Sequence, residues 1–343
     1  MYRIVSLDEI GPEAWNDFVL QCPEATFFHR AEWRDVITRS FGHTCYYLGA
    51  EKDGSLVGVL PLTWVKSWLF GSALISNGFC VAGGPAVVEE GARTALDEAA
   101  LDLLKKTGAD YLEYRSSHHK RPGWQSKSDL YAGFSRSIEA DEDSNLKQIP
   151  RKQRAVVRKA LTSDELSVTH GSDVDDLYHL YAISVRNLGT PVFSKKYFQQ
   201  MAACFGDDCE ITTISHQGKP VSSVLSFYFK DTVLPYYTGS VPEARRLGSN
   251  DLMYWRVMRR AVERGCRTFD FGRSKVDTGP YSFKKNWGFE PVPIVHEFHL
   301  APGQPLPNLN PTNPKFSLAI EVWRRFPLFV ANRLGPLIVR NIG

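Results

Sequence analysis

The residues able to do chemistry crowd into one stretch, from Arg245 to Gly288. Arg245, Arg246, Leu247, Gly248, Ser249 and Asn250 lie between a strand-like and a helix-like segment. A glycine at such a joint lets the backbone approach a ligand closely, and amides at a helix start favour an anion. Arg245, Gly248 and Asn250 are therefore candidates for holding a donor's phosphates. The plainer reading is a loop capped by Ser249 or Asn250. Next comes FDFGRS (269–274), where Phe269 and Phe271 share one strand face, Asp270 takes the other, and Gly272 opens space. Asp270 is a candidate general base or orienting group. Glu113 holds the matching place in the first half, which points equally to a structural pairing. TGPYSFKKNWGF (278–289) reads as a short helix with Pro280 near its start and Gly288 past its end. Phe283 and Trp287, four apart, would dock it. Tyr281, Lys284 and Lys285 then reach the mouth of a sheet or stand in water.

Positioning these groups requires a sheet and its helices, and the hydrophobic periodicity supplies both, twice over. Helical spacing over 12–20 and 31–41 precedes a hairpin, 45–51 and 56–65, turning at Asp53–Gly54. A strand-rich stretch, a helix over 92–107 ending at Gly108, and a strand over 111–115 follow. The second half repeats this order. Helices over 175–186 and 195–205 precede a hairpin, 210–215 and 221–229. A strand over 232–238, a helix over 250–264 and a strand over 268–271 come next. EKDGSLVGVLPL (51–62) echoes SHQGKPVSSVLS (215–226), and KTGADYLEYRSS (106–117) echoes ERGCRTFDFGRS (263–274). Two echoes in one order argue for a duplicated α/β unit. The expected domains are 1–145 and 146–301, with a Pro-rich linker and basic amphipathic helices over 302–343.

The 343 residues, 43% hydrophobic and 23% charged, suffice for two globular domains. The net charge of +3 hides an uneven spread. Residues 146–163 carry six bases and no acid, 314–343 carry five bases and one acid, and the remainder is net −7. An acidic body argues against a DNA-binding role. Six cysteines without a CxxC pair, and histidines without metal-ligand spacing, predict reduced thiols and no metal. His118–His119 and His296/His299 each face apart on extended chain. The opening MYRIVSLDEIG has no apolar run, so a cytoplasmic chain is expected. The charge-free stretch 67–88 is broken by Ser72, Ser76, Asn77, Gly78, Gly83, Gly84 and Pro85, a pattern of strands and turns rather than a membrane span.

The loop 245–250 resembles the acyl-donor loop of the GNAT acetyltransferase fold, with Asn250 in place of a final small residue. FDFGRS followed by YSFKKNWGF resembles the closing motif of the FemAB-like transferases and their acyltransferase relatives. PRKQRAVVRKAL (150–161) is similar to that family's Arg-rich helix. KSWLFG…SNGFCVAGGPAV (66–87) and the ending WRRFPLFVANRLGPLIVRNIG (323–343) resemble a subgroup encoded with exosortase/PEP-CTERM export systems. The resemblance implies an α/β (α+β) chain of two tandem GNAT-like domains, with mixed, mostly antiparallel sheets flanked by helices. It implies an amide-forming N-acyl or aminoacyl transferase in envelope or exopolysaccharide assembly. The co-substrate would be acyl-CoA or aminoacyl-tRNA, with no bound cofactor and an amine-bearing acceptor. It places the oxyanion-stabilising role on Lys284, with Lys285 second, and lines the site with Arg273, Ser274 and Tyr281. Arg154 and Arg158, at i and i+4, would hold phosphates of a carrier or pair with the acidic run 139–143. The long coiled-coil arm of tRNA-using members is missing from the heptad pattern, which disfavours tRNA.

The end, 315–342, interleaves aromatic and aliphatic residues with Arg324, Arg325, Arg333 and Arg340, cut by Pro327 and Pro336. It reads as helices docked on the body or as a peripheral membrane contact. Two competing functions are an acyl-CoA N-acetyltransferase of a small amine or amino sugar, and a non-catalytic scaffold for the export system.

Overall fold

The computed structural model describes residues 1–67, 71–116, 120–307 and 314–342, the first five of the last stretch as backbone only. The described residues form two units, each with its own sheet. The first sheet holds β1 (Arg3–Ser6), β2 (Thr44–Lys52), β3 (Ser55–Ser67), β4 (Gly71–Ser76), β5 (Ala86–Val87), β6 (Tyr111–Tyr114) and β7 (Gln125–Lys127). The second holds β8 (Tyr131–Ser137), β9 (Leu166–Gly171), β10 (Cys209–His216), β11 (Lys219–Phe229), β12 (Thr232–Ser240), β13 (Thr268–Lys275) and β14 (Val292–Pro293). A last strand, β15 (His296–Leu300), returns to the first sheet between β6 and β7.

The path β1-β2-β3-β4-β6 in one sheet repeats as β9-β10-β11-β12-β13 in the other. In each path the last pair, β4–β6 or β12–β13, is parallel and the rest are antiparallel. Even the hairpin turns repeat. Asp53–Gly54 has φ of 51° and 79°, and Gln217–Gly218 has 49° and 76°. Two left-handed residues in succession match the twist of the flanking strands. The tandem GNAT-like α/β architecture expected from the sequence is the one found.

Among the described residues the first unit holds the α-helices α1 (Leu7–Ile10), α2 (Pro12–Gln21), α3 (Glu32–Phe41) and α4 (Glu90–Thr107). α4 stops at Gly108, whose φ of 64° lets its N–H reach Leu104 O at 3.1 Å. The second unit has α5 (Glu142–Gln148), α6 (Arg151–Leu161), α7 (Val174–Leu188), α8 (Lys195–Phe205), α9 (Ala244–Leu247), α10 (Ser249–Glu263) and α11 (Gly279–Asn286). α12 (Pro314–Arg325) follows, and α13 (Leu328–Val339) ends the series. Leu252, Met253, Trp255 and Met258 of α10 close one face of the second sheet over Val224 and Val233. On the other face Tyr181 of α7 and Phe205 of α8 meet Tyr237 and Phe227 at ring distances of 5.8 and 5.5 Å. Burying each such side chain stabilises the fold by ~1.5–3 kcal/mol.

The domain limits differ from those expected at 145/146 and 301. Unit 1 comprises Met1–Ser128, Ile294–Asn310 and Ile338–Gly343, and unit 2 comprises Asp129–Pro293 and Pro311–Leu337, the described residues alone being meant. β8 is the cause at one end, since it pairs with β13 from Thr268↔Ser137 to Lys275↔Tyr131. β15 is the cause at the other, pairing with β6 from Glu297↔Tyr114 to Leu300↔Tyr111. The charge-free stretch folds, where described, as β4, turns and β5. Among the described residues no helix is long and apolar enough to cross a membrane. Part of the linker, 308–313, lies outside the described residues, as do 68–70 and His118–His119.

Candidate active site

The second unit's parallel joint opens into a fork. β12 and β13 pair only at Thr232↔Thr268 and Val233↔Phe269. Beyond that point β12 follows β11 to Ser240↔Ser222, while β13 follows β8 to Lys275↔Tyr131. A crevice at the carboxyl ends of parting parallel strands is where open α/β sheets bind ligands. Both prongs are bulged. Pro235 pairs with Ser226 and Tyr237 with Leu225, so Tyr236 is an extra residue. It leaves Tyr236 and Tyr237 as neighbours, 4.7 Å between rings. On β13, Phe271 and Gly272 together oppose Phe134, between Asp270↔Ser135 and Arg273↔Gly133.

Each prong has its own anchor. A Cβ on Gly239 would lie 2.0 Å from Tyr181 N, so glycine alone lets β12 sit this close to the α7 backbone. Ser184 Oγ then donates to Ser240 O at 2.9 Å and accepts from Ser240 N at 2.8 Å. On the other prong Lys284 of α11 is buried, and its ammonium donates to Phe271 O, Gly272 O and Arg273 O at 2.6, 3.2 and 3.1 Å. Three protons meet three consecutive carbonyls, two of the bulge and one of the residue just after it. Asp270 serves the same bulge, its Oδ1 accepting from Gly272 N at 2.8 Å. Burial pulls the Lys284 ammonium down to about 8, with Asp270 opposing. Burial raises the Asp270 carboxyl, with the Gly272 amide and Lys284 opposing. α11 is docked by Trp287, fully buried, whose indole N–H donates to Asp251 Oδ1 at 2.8 Å.

Tyr254 of α10 touches both prongs. Its hydroxyl lies 2.8 Å from Thr238 Oγ1 on β12, and its ring packs edge-on against Phe271 of β13 at 4.7 Å. Burial pushes its phenol up to about 12.

The remaining expected residues are more scattered. Arg273 stacks its guanidinium 4.4 Å over Tyr131, Ser274 is buried, and Tyr281 meets Phe134 edge-on at 5.3 Å. Lys285 is exposed. Arg245 and Arg246 are exposed on α9. The cradle of free amides expected over 245–250 is narrower than that. The amides of Arg246 and Leu247 bond to Glu243 O and that of Gly248 to Ala244 O, because these residues form a helical turn. Only the first turn of α10 is left to meet an anion. Gly248 is left-handed, φ 67°, and faces Val156 of α6. Asn250 Oδ1 is buried with no hydrogen-bond partner among the described residues. Arg154 reaches Lys147 O at 3.5 Å and Arg158 is exposed. Glu142 of the acidic run pairs with Arg259 at 3.2 Å.

Glu113, the first-half counterpart of Asp270, is a structural ion. It accepts from Arg115 Nε at 3.0 Å and lies 3.0 Å from His296 Nδ1. Tyr236, Gly239 and Tyr254 were missed by sequence reasoning. A proline inside the strand LPYYTGS was the available signal for the bulge. Among the described residues no group of three or more His, Cys, Asp or Glu side chains converges to hold a metal ion.

Residues 147–285 match the family model described as acetyltransferase (GNAT) domain. That span holds the fork, and with it the chain reads as an amide-forming acyltransferase. Among solved structures, a crystal structure of FemX aligns with a TM-score of 0.68 at 16% identity, over 93% of this chain and 100% of that one. A tandem GNAT protein from the clavulanic acid biosynthesis pathway aligns at 0.53 and 16%, over 88% and 98%. The C-terminal domain of a putative lysylphosphatidylglycerol synthetase from Agrobacterium fabrum aligns at 0.54 and 13%, over 83% and 90%. These likenesses are of fold. Nothing matches among curated proteins.

Proposed function

We propose that the fork of the second unit transfers an acyl group from acyl-CoA to an amine. The observation that carries this reading is a parallel strand pair joined over two residues and bulged on both sides. The amine lone pair attacks the acyl carbonyl, the C–N bond forms and the carbonyl electrons move onto oxygen. The amine proton passes to a base, and collapse of this tetrahedral oxyanion breaks the C–S bond. CoA is released as a thiolate that takes up a proton from solvent. A backbone N–H of the bulged stretch of β12 would serve the developing oxyanion, since a main-chain donor has its direction fixed before reaction. In this reading Lys284 acts through the backbone it holds rather than by touching the oxyanion. Asp270 keeps two roles open, capping Gly272 and orienting the incoming amine. Arg245 and the start of α10 attract the donor's phosphates, with Gly248 and Asn250 shaping that turn. Arg154 and Arg158 meet phosphates of the acceptor. Arg273, Ser274, Tyr281 and Lys285 line the rim. The resemblance to exosortase-associated chains supports an acceptor in envelope or exopolysaccharide assembly and a cytoplasmic site.

Hydrogen exchange of the full chain with and without acetyl-CoA tests the placement. Slowed exchange is expected over 234–240 and 270–276 and unchanged exchange over 73–76 and 111–115. Protection confined to the first unit, or none with any acyl-CoA, would sink the reading. The latter result would favour aminoacyl-tRNA as donor, tested next in the same way, or the scaffold.

A further inference from the structure

Eleven large apolar side chains stand exposed among the described residues, and five of them lie on the last two helices: Val322, Phe329, Leu334, Leu337 and Ile338. The helices dock by their small side. Ala331 and Gly335 of α13 are buried, and a Cβ on Gly335 would lie 2.7 Å from Val192 N. Trp323 anchors α12 at 7% exposure, while Phe329 stands 74% exposed and Leu337 59%. Phe329, Arg333 and Leu337 follow one another at four-residue steps, so they form one outward stripe with Leu334 beside it. A helix apolar on its outer face as well as its inner one implies a second apolar surface. The charge says which. From Val322 to the end there are four arginines and no acid, and Arg325 and Arg333 are exposed.

We propose that this face rests on an anionic lipid surface, with Phe329, Leu334 and Leu337 entering the headgroup–acyl boundary and Arg325 and Arg333 meeting lipid phosphates. A second copy of the chain would bring like charges face to face, which disfavours self-association. The helices are too short to span, so the contact is peripheral. It does not depend on the acyl-transfer reading.

Co-sedimentation of the full chain with phosphatidylglycerol/phosphatidylcholine vesicles, against pure phosphatidylcholine, tests it. Binding is expected only with the anionic lipid and should weaken with salt. Arg325→Glu and Arg333→Glu should each lower the partition coefficient roughly fivefold or more. Phe329→Ser with Leu337→Ser should abolish pelleting while the unfolding midpoint stays put, because both side chains are solvent-exposed. Equal pelleting with neutral vesicles, or undiminished binding by the double variant, overturns the proposal. So does a dimer that the double variant dissolves, which would give the face to a second copy.

Discussion

The two units share a strand order and differ at the parallel joint. In the first, β4 and β6 stay paired from Ala73↔Tyr111 to Ser76↔Tyr114, and Ser76 Oγ accepts a further bond from Arg115 N at 3.3 Å. Asn77, fully buried, follows at once and is tied to Tyr47 and Thr63. In the second, β12 and β13 are longer, yet part after two pairs. What differs is the company kept by the free ends: α7 draws β12 one way through Gly239 and Ser184, and Lys284 fixes the bend of β13. The helices that follow differ too. α4 opens on Glu89 and Glu90, whereas α10 opens behind Arg245 and Arg246. A repeated sheet has kept one joint closed and left the other forked.

The comparison breaks most readily at Gly239. In Gly239→Ala the new Cβ meets the α7 backbone, which cannot rotate away, so α7 and β12 must separate. A loss of about 3 kcal/mol or more is expected in urea unfolding, with acyl transfer lost alongside. Gly171→Ala is the control, since nothing lies within 4 Å of its Cβ position; it should stay within ~0.5 kcal/mol. Equal effects at both positions would mean that the close approach does not hold the prong.

Acid and alkali should separate the two joints. Burial alone would raise Glu113, but Arg115 and His296 outweigh it and hold the carboxyl at about 2, against the usual 4.5. Its contribution is present above pH 4.5 and lost as pH falls from there towards 2, up to ~3 kcal/mol. Lys284 has a slope of the same sign at the alkaline end, although there it is the charged form that burial penalises. Its folded value of about 8 lies below the usual 10.5, so the unfolded chain holds the proton more tightly and stability rises between those limits. Urea midpoints against pH should lose the acid limb in Glu113→Gln and the alkaline rise in Lys284→Met. A wild-type midpoint that falls between pH 8 and 10 in parallel with Lys284→Met would refute the buried-ammonium account. At the closed joint, Ser76→Ala removes one acceptor and should cost ~1 kcal/mol by the same measurement, with donor binding unchanged.

How much of this was legible follows the range of each interaction. The hairpin β10–β11, the helix α10 and the strand β13 were expected nearly where they lie, because periodicity and turn residues are local. The exchange of β8 and β15 between units was hidden, since a strand's pattern records that it is buried but not beside whom. Lys284 shows the same limit at one residue. Two adjacent lysines in FKKNW look alike in sequence, yet one is 8% exposed and spends its protons on a bulge while its neighbour stands in water. The fork itself left one mark, Pro235, which only gains meaning beside the partner strand.

The gentlest test concerns the charges at the two helix starts. A helix terminus and a nearby exposed cation each act on an anion with ~0.3–1 kcal/mol, weakened by salt. Arg245→Glu with Arg246→Glu should therefore raise the KM for an acyl-CoA about three- to tenfold at low salt, leave kcat nearly unchanged, and converge on the wild type as salt rises. Glu89→Gln, at the start of α4, should leave that KM alone if the donor sits at the fork of the second unit, as proposed. If the first-unit variant moved the donor KM as much as the second, the donor would not be confined to the open fork. The contrast between a structural copy and a working one would then fail at its simplest point.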